Sequence, residues 1–282
     1  MIKLSVENEK GERLSLSPSS QYSVLKIDGL TPPTATVNTS ILALNDGAKV
    51  NSARVEPRDI IITLKPRFPI GLNRTKLYRY FQIKRNVRMF FKTAYNDVYI
   101  DGIVKAIDGD LFAQSQKIVI TIFCADPYFK DVKESVILMS QTIDLFEFPF
   151  DISSVGKEFS KIDNLKTVNV VNNGDVTSGM IIELSANSEV VNPIIYDRVS
   201  TKAMAFEITL AATQSLIINT NQNEKSVFLN VGAEKINAIS TLNRGSNWLQ
   251  LTPGDNIFVY EASSGAENLE ITFSHTDRYG GL

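Results

Sequence analysis

Apolar and polar residues alternate in short segments through most of this chain, each closed by a turn-forming cluster, and a period of two is what a strand with one buried face requires. Ile2, Leu4 and Val6 share one face, a Glu9-Lys10-Gly11 turn follows, and Leu14 and Leu16 resume the pattern, which predicts an opening hairpin. Leu25 and Ile27 lead into a turn at Asp28-Gly29. Ile60 to Leu64 is apolar and largely β-branched without alternation, the pattern of a central strand covered on both faces. After Pro69 the period changes. Leu77, Phe81 and Lys84 stand at helical spacing with Asn73 placed to cap them, so one short helix is expected between Pro69 and Arg88. Strand signals return at 89–92, 96–105 and 117–123, separated by Asn96-Asp97 and Asp108-Gly109-Asp110.

The run closes at Cys124-Ala125-Asp126-Pro127, since proline pushes the residue before it out of helical conformation. A chain of 282 residues exceeds what one hydrophobic core usually holds, so two domains are expected, 1–128 and 129–282. The stretch 133–164 is less regular; its aromatics, Phe146, Phe148 and Phe150, mark either early strands of the second domain or a connector packed on it. Beyond it short strands recur about every dozen residues, at 168–171, 180–184, 194–196, 205–210, 215–219, 227–230, 248–251, 257–261 and 269–273. Such spacing argues for a sandwich. Alternation is clearest in Phe206, Ile208 and Leu210 and in Leu269, Ile271 and Phe273. The fold class is therefore mainly β, an N-terminal β domain carrying one helix followed by a C-terminal β-sandwich.

Signatures of catalysis are sparse. The single histidine, His275, lies seven residues from the end, where fraying makes it a poor base for a Ser or Cys nucleophile. One His and one Cys fall short of the ligands zinc takes. Neither GxxxxGK[ST] nor GxGxxG occurs. Asn219-x-Asn221-x-Asn223 opens like a calcium loop, but Glu224 stands where the turn needs glycine and Asn230 where it needs a bidentate Glu, so it reads as a polar loop. No catalytic residue, metal ligand or cofactor is assigned. A carboxylate pair cannot be read from spacing among 31 Asp and Glu, which keeps glycoside hydrolysis as a third reading. Cys124 beside Ile122 and Phe123 reads as a buried apolar residue, and Tyr78, Tyr80 and Tyr128 as packing. Trp248 alternates with apolar neighbours and reads as core, with stacking on a sugar ring as the alternative. With 43% hydrophobic and 21% charged residues the chain is of globular type. No membrane anchor is expected, because residues 1–10 carry no apolar leader core and the longest apolar run, 118–125, is interrupted by Thr121. A lone cysteine fits folding in a reducing cytoplasm.

Net charge is only −2, but it is unevenly placed. From Arg54 to Lys92 eleven Lys and Arg face only Glu56 and Asp59, a balance of +9 that leaves −11 for the remainder. An acidic body with one basic segment suits self-assembly, in which unlike surfaces of neighbouring copies steer one another. Arg54, Arg58, Arg67, Arg74, Arg79, Arg85 and Arg88 are thus the candidate subunit-interface residues. A solvated charged face is the plainer alternative. Specific nucleic-acid binding is disfavoured, since the cations interleave with apolar residues and no recognised binding motif accompanies them.

Four places in this order resemble the distal tail (Dit) proteins of long-tailed phages and related tail-like particles. They are the opening hairpin with a one-helix β domain; the strand ending in Cys124-Ala125-Asp126-Pro127-Tyr128-Phe129; the segment Val168 to Ser178 (VNVVNNGDVTS); and the closing segments Ile217 to Thr220 and Asn247 to Asn256, with their L-x-P-G-x-N turn. The resemblance implies a tail-tube-like first domain and a galectin-like sandwich. It also implies a homo-hexameric ring at the virion tail tip, docked on the tail tube protein above and on the hub and receptor-binding or baseplate proteins below, and assembled in the host cytoplasm. The sugar-binding pattern of true galectins is not met, since His275 is followed by Thr-Asp-Arg and Trp248 by Leu-Gln-Leu. A carbohydrate-binding module is therefore the second reading. The closing residues Arg278 to Leu282 are expected to form a tail that locks against another subunit or the hub.

Overall fold

The structure is a computed structural model that describes residues 2–41, 46–110, 112–113, 116–139 and 167–282. The aromatic stretch 146–150 lies outside the described residues. Two compact units form, Met1–Val132 together with Arg278–Leu282, and Lys133–Asp277.

The first unit contains β1 (Lys3–Asn8), β2 (Arg13–Ser17), β3 (Tyr22–Asp28), β4 (Ala35–Ser40), β5 (Lys49–Val55), β6 (Arg58–Pro66), α1 (Ile70–Tyr80), β7 (Asn86–Lys92), β8 (Asp97–Gly109), β9 (Ile118–Cys124) and β10 (Phe129–Asp131). One antiparallel sheet runs in the order β2-β1-β7-β8-β9-β6-β3, with β10 added to β8. The β1–β2 turn follows from its residues: Gly11 takes the left-handed conformation, and the Asn8 side-chain oxygen accepts from the backbone N–H groups of Lys10 and Glu12. Leu4, Val6, Leu14 and Leu16 from this hairpin are sealed against Met89, Phe91, Ile100, Ile120 and Ile122 from the central strands. Strand β6 departs from the two-faced reading. Ile60, Ile62 and Leu64 are buried, whereas Ile61 and Thr63 on the opposite face are only half-covered.

Helix α1 lays Leu77 on this core, and Phe81 follows it at the cap. It begins three residues before the expected cap. Pro69 stands at the N-cap, while Asn73 is buried within the helix, where its amide donates to the Arg67 carbonyl and its own carbonyl accepts from the Tyr22 hydroxyl. Lys84 does not continue the helix, since the chain has turned by then and Lys84 sits at φ 68° with its N–H on the Val104 carbonyl.

The second unit contains β11 (Ser135–Met139), β12 (Thr167–Asn172), β13 (Met180–Ala186), β14 (Val190–Val191), β15 (Ile194–Asp197), β16 (Ala203–Ala205), β17 (Thr209–Leu210), β18 (Ser215–Asn219), β19 (Ser226–Val231), β20 (Glu234–Asn237), β21 (Gly254–Glu261) and β22 (Leu269–His275). A sheet in the order β11-β22-β13-β18-β19-β20 and a second in the order β12-β21-β15-β16 share one core, across which the rings of Phe258 and Phe273 stack with centroids 5.2 Å apart. The expected strand at 205–210 is broken. Phe206 bridges Leu242 while Thr209 and Leu210 pair with β14, so the apparent alternation spans two separate pairings. Residues 248–251 form no strand, although Leu251 bridges Ser178.

Two asparagines explain the motifs at 168–178 and 251–256. Asn256 is buried; its oxygen accepts from the Thr252 N–H and hydroxyl, and its amide donates to the carbonyls of Val170, Thr252 and Gly254. Asn172 donates to the Val176 and Leu251 carbonyls and accepts from the Gly174 N–H. Together they tie β12 to the turn before β21, satisfying polar backbone that burial would otherwise strand.

From Arg278 the chain returns to the first unit. Strand β23 (Arg278–Tyr279) pairs with β10, Tyr279 and Leu282 pack on the first core, and the Leu282 N–H donates to the Leu30 carbonyl. These residues are therefore engaged within their own chain, where a tail locked against another subunit or the hub was expected.

Candidate assembly interface

Strands β4 and β5 pair only with each other. Their register places Ala35 opposite Val55, Val37 opposite Ala53 and Thr39 opposite Val50, so one face of the hairpin is small, apolar and β-branched. The other face pairs Thr36 with Arg54, Asn38 with Ser52 and Ser40 with Lys49. Every residue of the two strands is exposed except Ser40, with Val37 at 51% and Val50 at 60%. This is an amphipathic ribbon whose apolar face nothing in the described chain covers.

Its root is held firmly. Arg58 is buried, and its guanidinium donates to the carbonyls of Gly29 (2.9 Å), Thr31 (3.0 Å) and Gly280 (2.6 Å) while lying over the Phe129 ring. Burial lowers its pKa, opposed by Cys124, Tyr128 and Asp126. Gly29 takes φ +88°, and a Cβ there would meet the Asp59 carbonyl at 2.4 Å; a Cβ on Gly281 would meet Pro32 at 2.8 Å. Close backbone approach thus joins residues 280–282 to the segment leading into β4.

A groove of about 540 Å³ crosses the outer face of the sheet over β1, β7, β8 and β9. Ile103 and Phe123, cross-strand neighbours, are among its apolar lining, with Glu7, Glu9, Asp101 and Asp126 as its acidic lining. Arg88 also lines the groove and makes two contacts with Asp101, which raises its pKa, and it lies over the Tyr99 ring.

The seven arginines do not form one patch. Arg54 is on the hairpin beside Glu56, Arg58 is the buried clamp, and Arg67 is exposed just beyond β6. Arg74 on α1 donates to Gln116, and Arg79 is exposed on its last turn. Of the seven only Arg88 lines the groove, while Arg85 pairs at 3.3 Å with Glu9 of its lining. Sequence reasoning missed both the hairpin and the groove; the alternation in 35–40 was the available signal for the first.

Trp248 is half-buried against the second core, with Lys225 over its ring at 5.5 Å. Burial pushes the Cys124 thiol up to about 12, opposed by Arg58. His275 is not frayed: it is buried in β22, its Nε2 donating between the Val171 carbonyl (3.2 Å) and Asp277 (3.3 Å). At 219–224 the Asn219 oxygen accepts from the Asn221 N–H, a turn closed on itself. Among the described residues no three His, Cys, Asp or Glu side chains gather as a metal would require.

Fold and surface thus define a two-unit β chain whose first unit bears an exposed apolar hairpin and a groove. Residues 173–279 match the family described as siphovirus-type tail component, C-terminal domain. Among solved structures the chain is similar to the Dit protein of phage SPP1, described as a paradigm of the hub adsorption apparatus in phages infecting Gram-positive bacteria, at 12% identity and a TM-score of 0.67, covering 97% of this chain and 98% of that one. It is also similar to a chain of the phage P2 baseplate in its activated conformation with Ca, at 10% identity and a TM-score of 0.54, and with Sr, at 11% and 0.52, each covering 98% of both chains. No curated protein matches significantly in sequence. A tail-component family model thus matches residues 173–279, and the fold of the whole chain is similar to that of SPP1 Dit.

Proposed function

We propose that this chain is a structural subunit of a phage or phage-like tail tip or baseplate, a scaffold without enzymatic activity. In this reading six copies form a ring that joins the tail tube to the hub and host-attachment proteins, with assembly in the host cytoplasm. The observation that carries it is a shared fold over nearly the full length of both chains, joined to a tail-component family match over residues 173–279. Apolar surface left uncovered among the described residues also supports it, because such surface often marks association.

Light scattering across protein concentration and salt tests the reading. Six copies of 31.3 kDa give about 188 kDa, and a species of that mass, seen as a ring with a channel in negative stain, is the expected result. A chain that remains single, and that is absent from the tail tip when particles are labelled, would remove it.

A further inference from the structure

We propose that the first unit carries a peptide-recognition cleft beside β10, specific for the sequence Arg-Tyr-Gly-Gly-Leu, and that residues 278–282 are its exchangeable occupant. The inference stands apart from the ring reading and concerns a surface which that reading does not use.

Residues 278–282 meet the first unit as a bound peptide would. Arg278 and Tyr279 add to the edge of β10 that β8 leaves open, opposite Lys130 and Phe129, so the first hold is backbone pairing to a strand edge. Each position is then read by its own partner. Arg278 pairs with Asp126 and lies over the Tyr128 ring, 4.8 Å from its centroid. Tyr279 and Leu282 pack on the apolar core of the unit. The Gly280 carbonyl accepts from Arg58 at 2.6 Å, and the Leu282 N–H donates to the Leu30 carbonyl at 3.0 Å. At Gly281 the cleft excludes a side chain, because a Cβ would stand 2.8 Å from Pro32 Cδ and 3.0 Å from the Pro32 nitrogen. Side-chain anchors, backbone bonds and one position restricted to glycine together make the fit depend on sequence.

Two observations make the occupant exchangeable. The strand path β2-β1-β7-β8-β9-β6-β3 is hydrogen-bonded without β23, which adds only two residues at its margin. All five residues from 278 to 282 are half-buried, whereas β22 just before them seals every second side chain. A segment with few pairings and partial burial opens at lower free energy than the core it rests on. Opening removes one of the three acceptors of Arg58, whose other two, Gly29 and Thr31, lie in the segment that enters β4, and it removes the contact of Gly281 with Pro32. Occupancy of the cleft thereby sets how firmly the hairpin root is held.

Native-state hydrogen exchange on the full chain is the first test. The Leu282 amide should exchange through an opening more frequent than that of the amides in β6 and β9; exchange of all of them together would make 278–282 an integral strand and overturn the proposal. The second test titrates a chain ending at Asp277, its folding verified by circular dichroism, with the labelled peptide Arg-Tyr-Gly-Gly-Leu. A tethered segment sees its site at an effective concentration on the order of millimolar, so the free peptide is taken to about that level. Saturable binding is expected, with cleavage at residues 31–34 in limited proteolysis falling back to the wild-type rate, and the peptide carrying Gly281→Ala should do neither. No saturable binding, or equal binding of the alanine peptide, overturns recognition by sequence. Should the shortened chain fail to fold, Gly281→Ala in the full chain decides: faster cleavage at 31–34 and faster exchange at Leu282, with β6 and β9 unchanged, supports the cleft, and wild-type behaviour at both overturns it.

Discussion

Strands β5 and β6 are two residues apart in the chain, yet every second residue of β6 is sealed while none of β5, whose pairing with β4 carries a bulge, is. In β6 the inward set Ile60, Ile62 and Leu64 meets the opening hairpin, β9 and the helix-bearing core. In β5 the equivalent set, Val50, Ala53 and Val55, meets water. Alternation therefore states that one face will be covered without stating by which molecule. In β6 the cover lies in the same chain, and for β5 none lies among the described residues.

The contrast is broken or sharpened first at Ile62. Ile62→Ala should lower the unfolding free energy by about 2–5 kcal/mol in urea titrations, the usual cost of a buried cavity; a negligible loss would mean that the β6 core is not packed as described. Arg58→Met should follow. It removes three charge-assisted hydrogen bonds and uncouples the hairpin root, costing about 2–3 kcal/mol and opening residues 31–34 to limited proteolysis. Protection equal to wild type would show that the base is held by other means.

A smaller effect concerns pH. Cys124 and Tyr80 are both raised to about 12 by burial, from ordinary values of 9.0 and 10.0. A raised folded-state pKa gives stability that is fully present below the unfolded value and is lost as pH rises through the folded one. Thermal stability should therefore decline between about pH 9 and 12, by roughly 1 kcal/mol per pH unit for the thiol at first. Cys124→Ala should flatten the early part of that decline, and an unchanged slope would contradict the burial. Smallest of all is Val50→Ala, which should leave the melting temperature of the single chain almost unmoved while weakening association. A large loss of monomer stability would place Val50 in an intramolecular core and erase the contrast between the two strands.

Much of this was legible in the sequence wherever strong apolar residues repeat: the opening hairpin, the strands around 60–64, 117–123, 180–184 and 269–273, and one helix after Pro69. The β4–β5 hairpin escaped because its apolar face is built from Ala and Val among Thr, Asn and Ser, which resembles a loop by composition. Strands of two residues, β14, β17 and β23, exist only through partners distant in the chain and leave no local period. Asn73 looked like a cap because its type favours that position, but the same side chain satisfies a carbonyl from inside the helix. The arginines were read as one basic segment because they are close in sequence; folding put Arg58 in the interior and spread the others over the hairpin, the end of β6, the helix and the rim of the groove.

The bond from Arg58 to the Gly280 carbonyl spans 222 positions, and it fixes an order of events during synthesis. A ribosome delivers β1–β10 long before it delivers β23, with the whole second unit made in between. Until then Phe129 lacks its Tyr279 neighbour and the buried guanidinium lacks one of its three acceptors. A nascent first unit is therefore unfinished at the base of its own hairpin, and a chain interrupted anywhere in the second unit would present that ribbon on a loosened mount. Closure of that base therefore waits on residues 278–282, which are made after the second unit.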